Sequence, residues 1–146
     1  MSSATENLTL VYACSGCSSA AQLANHLAVR LDREGHAEMS CIAGVGGQVK
    51  PLLKKLDDAV QQQRPIVAID GCPLACVANT LKQRGVKPTT HIQLAAHGVR
   101  KVAHGDYCEE QARALLDDLV LHVETLNERV ASLALTSGSP LDVSQA

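Results

Sequence analysis

Alternating strand and helix signals predict a single α/β domain with three layers: a parallel four-stranded sheet with helices on both faces. Three observations carry this. Short β-prone apolar runs recur between stretches with apolar residues at helical spacing. The run Pro65-Ile-Val-Ala-Ile69 is continuously apolar, as suits a strand covered on both faces. The length, 146 residues, suits one domain, and 46% hydrophobic residues suffice for one core.

The elements follow in order. Leu8–Ala13 reads as the first strand. The turn Cys14-Ser-Gly-Cys-Ser18 follows, then a helix with Ala21, Ala24, Leu27, Ala28 and Leu31 on one face. Ser19 with Gln22 fits a capping box at its start, and Gly35 fits the left-handed stop at its end. Glu38–Ala43 reads as strand two, followed by a glycine-rich turn over Gly44–Gly47. Leu52, Leu53, Leu56 and Val60 mark a second helix that ends before Pro65. Strand three is Pro65–Ile69. A third helix is expected from Pro73, with proline as its first residue, to Gly85. Strand four is His91–Ala95, and a loop covers Ala96–Gly105. The last helix is expected from Asp106, with Glu109 three residues on. It carries Ala112, Leu115, Leu116, Leu119, Val123, Leu126 and Val130 on its face. Residues 1–7 read as a flexible N-terminus, 8–133 as the domain, and 134–146, rich in Ser and Gly, as a disordered tail. Right-handed crossovers join the four βα units into a doubly wound, Rossmann- or flavodoxin-like sheet. In such sheets ligands bind beyond the carboxyl ends of the strands, where strand order reverses.

Composition excludes several functions. Thirteen Lys+Arg against fifteen Asp+Glu give a net charge of −2, so no basic excess exists to neutralise nucleic acid. Tyr12 and Tyr107 are the only aromatic residues, which excludes base-stacking platforms and aromatic cages. No apolar run is long enough to span a membrane. The N-terminus has no basic region of a signal peptide, so the expected location is cytoplasmic. In that compartment six cysteines point to metal or redox chemistry rather than to disulfides.

Every cysteine falls at a strand's expected carboxyl end. Cys14 and Cys17 follow strand one. Cys41 lies near the end of strand two, Cys72 and Cys76 follow strand three, and Cys108 lies in the first turn of the last helix. A tetrahedral zinc needs four ligands, and thiolates suit it. Cys14-x-x-Cys17 can offer two sulfurs from one tight turn. Cys72 and Cys76, four apart, would share one face at a helix start, where the helix dipole favours thiolate. Each cysteine also has a plain reading as a small core hydrophobe, most of all Cys41 and Cys108.

The stretches Tyr12–Ser18, Ala24-Asn25, Cys41–Gly47 and Ile69–Cys76 resemble the DGC domain family, whose name matches Asp70-Gly71-Cys72. The resemblance covers roughly residues 8–110. It implies zinc binding through four recurring cysteines, matched here by Cys14, Cys41, Cys72 and Cys76, and no assigned reaction. Cys17 and Cys108 lie outside that pattern, Cys17 standing as a competing ligand.

Other readings narrow. A phosphatase or arsenate-reductase loop needs C-x₅-R, but Ala20 and Leu23 occupy the required positions. Gly44-x-Gly-Gly47 is not a phosphate loop, and its glycines suit backbone approach to the cysteine site. Six thiols also suit an iron–sulfur cluster as the alternative cofactor, or a Cys14–Cys17 disulfide exchanger. His97 and His104 lie in the loop after strand four, as solvated residues or as extra ligands. Asp70 serves either as an acceptor behind a metal ligand or as the residue that starts a helix. The apolar surplus of the last helix suits core cover or a homodimer surface. A metal ion is the one partner the residues themselves imply.

Overall fold

The computed structural model describes residues 7–137. Its elements are β1 (Thr9–Ala13), α1 (Ser19–Arg33), β2 (Ala37–Met39), α2 (Ile42–Gly46), α3 (Lys50–Gln61), β3 (Ile66–Asp70), α4 (Cys76–Gln83), β4 (Thr90–Gln93), a 3₁₀ turn (Leu94–His97) and α5 (Glu109–Ser137). The sheet order is β2-β1-β3-β4, all parallel, with Val11 opposite Met39 and Val67. The expected three-layer α/β architecture is therefore the one observed.

Strand period explains the two cores. Val11, Ala13, Val67 and Ile69 point to one face, where α1 and α5 cover them with Leu23, Leu27, Leu31, Leu119 and Val123. Leu10, Tyr12, Ile66 and Ala68 point to the other, under α2, α3 and α4 with Val45, Leu56, Val77 and Leu81. β1 and β3 are buried along their whole length, the reason their sequences are continuously apolar. Asn127 ties α5 to the sheet: its Oδ1 accepts from the Thr9 amide at 2.8 Å and its Nδ2 donates to the His36 carbonyl.

Several local expectations give way to tertiary packing. β2 stops at Met39, and Cys41 is the N-cap of α2 rather than a strand residue. Gly44–Gly47 is largely helical. Gly44 serves helix packing: a Cβ there would lie 1.9 Å from Leu52 Cδ1 on α3. Ser18, not Ser19, caps α1, accepting from the Ala21 amide at 3.1 Å. The helix after β3 starts at Cys76 instead of Pro73, because a turn closed by the Ala75 amide on the Cys72 carbonyl intervenes. The last helix begins at Glu109, where the Cys108 carbonyl accepts from the Ala112 amide. It continues to Ser137, past residue 133. Residues 1–6 and 138–146 of the expected flexible ends lie outside the described residues. Among the described residues no helix is long and apolar enough to cross a membrane.

Candidate functional site

The sheet reverses its winding between β1 and β3, and the crevice beyond their carboxyl ends is where a ligand is expected. Cys14 stands at the head of that crevice. Its amide continues the ladder to the Ile69 carbonyl at 3.1 Å, and its Sγ accepts from the Gly71 amide at 3.2 Å. The thiol is half-buried, packed against both cores. Burial pushes its pKa up and the Gly71 hydrogen bond pulls it back. Asp70, Cys76 and Cys72 each raise it further through their charge. Cys14, Cys72 and Cys76 are thus electrostatic neighbours.

Each residue of Asp70-Gly71-Cys72 has a separate task. Asp70 is 1% exposed. Its Oδ1 accepts from the Val77 amide at 2.8 Å, and its Oδ2 accepts from the Ala78 amide at 3.1 Å. His91 on β4 meets the same Oδ2 through Nε2 at 2.8 Å. A carboxylate from the end of a strand therefore caps α4, whose own N-cap residue, Ala75, cannot. Of the two roles expected of Asp70, starting the helix is the one seen. The partial positive charge of the α4 N-terminus therefore faces Asp70 instead of being left for Cys76. Gly71 is needed for closeness: a Cβ there would lie 2.5 Å from the carbonyl carbon and oxygen of Ala20 on α1. Cys72 then leaves the crevice half-exposed, and Lys101 Nζ reaches its Sγ at 3.5 Å.

Lys101 arrives on a strapped loop. The Ser19 amide donates to the Val102 carbonyl at 2.9 Å, and the Val102 amide donates to Ser19 Oγ at 2.9 Å. Ser19 Oγ in turn donates to the Arg100 carbonyl. Ser19 is thereby engaged in holding the loop, which leaves the helix cap to Ser18.

The remaining cysteines are exposed, as is Cys76. Cys17 is exposed in the turn before α1, and Gln22 reaches back to the Gly16 carbonyl there. Cys41 lies exposed in a groove with Asp32, Met39 and Lys55. Cys108 is exposed in another, beside Tyr107 and Gln111. His97 lines a cleft beside β4, away from the thiols, and His104 sits exposed at a φ of 58°. The donor chemistry of Cys14, Cys72 and Cys76 fits a soft cation. Among the described residues, however, no three His, Cys, Asp or Glu side chains stand close enough to hold one as they are placed. Sequence reasoning missed Lys101, His91 and Ser19, whose roles depend on neighbours 29, 21 and 83 residues away.

A four-stranded parallel sheet with the Cys14 thiol and the buried Asp70 carboxylate at its switch point makes this an α/β domain. The chain belongs to the DGC domain family, which matches residues 10–119. It is similar to the Anaerobic and virulence modulator AnvM of Pseudomonas aeruginosa, at 56% identity over 104 residues. That match covers 71% of this chain and 76% of the relative. No solved structure matches the chain.

Proposed function

We propose that this protein is a metal-binding modulator that takes zinc at the crevice between β1 and β3. The observation that carries the reading is Cys14 at the switch point, its Sγ accepting from the Gly71 amide, with Cys72 and Cys76 as its electrostatic neighbours. Cys14, Cys72 and Cys76 would supply three thiolates, and Cys41 or Cys17, each on an adjoining turn, the fourth. Bound zinc would cross-link the ends of β1 and β3 to the start of α4, and so add to folding stability. The name of the similar AnvM, a modulator, supports a regulatory role over a catalytic one. A Cys14–Cys17 disulfide exchanger is less well supported: Cys14 is half-buried and Cys17 points into solvent.

The test is elemental analysis of anaerobically purified, untagged protein, with a visible spectrum of the same sample. About one zinc per chain is expected, lost in Cys72→Ser and kept in Cys108→Ser. Iron with sulfide and broad visible absorbance would replace zinc by an iron–sulfur cluster. Metal-free protein that also fails to take up added zinc would overturn the reading.

A further inference from the structure

We infer that the open edge of β4 is a docking strand for an extended, acidic peptide segment of a partner protein. The inference is independent of the thiol site. β4 ends the sheet, so among the described residues no strand pairs with its outer side. The Thr89 amide donates inward to the Ile66 carbonyl at 2.8 Å. Strand parity therefore turns the amides and carbonyls of Thr90 and Ile92 outward, a row of donors and acceptors that an added strand can take.

An edge alone is common. Here a cavity flanks it on each face of the sheet. On the α5 side lies a cleft of about 300 Å³, with a floor of Ile92, Leu94, Leu115 and Leu119 and with Asp118 and His122 at its rim. On the α4 side lies a second, of about 480 Å³, walled by Ala78, Val86 and Pro88 and flanked by Lys82 and Lys87. His91 borders both. Successive side chains of an added strand point to opposite faces, so one set would enter the apolar cleft and the alternate set would meet the lysines. Lys82 and Lys87 are exposed and, among the described residues, in no ion pair. That charge selects the occupant: an alternating apolar and acidic segment. A second copy fits poorly. Two β4 edges paired about a two-fold axis would bring the same face of both copies together, lysines beside lysines.

The probe is a capped hexapeptide of alternating glutamate and valine, with a lysine–valine peptide of the same pattern as its control. Amide chemical shifts of isotope-labelled protein are followed during titration. Saturable shifts centred on Thr90 and Ile92 are expected with the glutamate peptide. The double variant K82E/K87E, which touches only exposed charges, should weaken that peptide roughly tenfold and favour the lysine peptide instead. The inference is overturned by equal binding of both peptides, or by the absence of saturable shifts at β4. It is also overturned if those amides shift on dilution of the protein alone, which would assign the edge to a second copy. Cys72→Ser, which tests the metal site, should leave peptide binding unchanged.

Discussion

The amide of Gly71 donates to the sulfur of Cys14 across 3.2 Å, joining the carboxyl ends of two strands 57 residues apart in the chain. The contact exists because Gly71 has no side chain. A Cβ would press to 2.5 Å from the Ala20 carbonyl group, and that obstacle is backbone, which cannot rotate away. Gly71→Ala should therefore push β3 from α1 and cost about 1–3 kcal/mol or more, as overpacking does. Denaturant melts measure the loss. A melting curve identical to wild type would show that the close approach is not required.

Asp70 carries a second, separable cost. Asp70→Ala leaves the amides of Val77 and Ala78 without their acceptor and removes the partner of His91. The expected loss is roughly 2–4 kcal/mol, a lost cap plus a desolvation penalty. His91→Ala should cost less, since that side chain is 32% exposed. Hydrogen exchange gives the local readout. The amides of Val77 and Ala78 should exchange faster in Asp70→Ala, while those of β1 change only with global stability.

How much of this was legible in the sequence follows from how local each cause is. The buried strands β1 and β3 and the long faces of α1 and α5 announce themselves by composition and period. The short α2 does not. Three glycines over four residues argue for a turn, and the close approach of Leu52 that requires Gly44 carries no local signal. The cysteines were legible as a set placed at strand ends. Which of them meet was not, because that depends on side-chain direction after each strand: Cys14 turns into the crevice while Cys41 turns into a groove beside Lys55. Lys101 reaches Cys72 only through the loop that Ser19 holds, a long-range arrangement with no local signal.

Glu38 contributes stability that depends on acid pH. It takes Lys55 on one oxygen and Arg64 on the other, the latter at 2.6 Å. Partial burial alone would raise its pKa, but the hydrogen bonds from Lys55 and Arg64 more than offset this and hold the carboxyl below its ordinary 4.5. A folded-state pKa below the unfolded one gives stability that is present above pH 4.5 and lost as pH falls through the folded value. Glu38→Gln should cost roughly 1–2 kcal/mol at pH 7. Its difference from wild type should shrink as pH falls below 4.5, through the folded-state value. Denaturant midpoints measured from pH 7 to pH 3 check this, and a difference constant across that range would contradict it.

Tyr12 contributes in the opposite sense at alkaline pH. Its ring is fully buried, and its hydroxyl finds no hydrogen-bond partner among the described residues. Burial pushes its pKa up to about 12, against the lowering effect of the nearby Ser40 hydroxyl, which stands outside hydrogen-bonding geometry. A folded pKa above the unfolded 10.0 means stability that is whole below pH 10 and lost as pH rises towards 12. Tyr12→Phe removes both the ionisation and the unpaired hydroxyl. At pH 7 it should be neutral or stabilising by up to about 1 kcal/mol, since no hydrogen bond is broken. At pH 11 it should be clearly more stable than wild type. Paired denaturant melts at the two pH values decide: a Tyr12→Phe protein weakened at pH 7 would mean that the hydroxyl has a partner, such as a buried water bridging to Ser40.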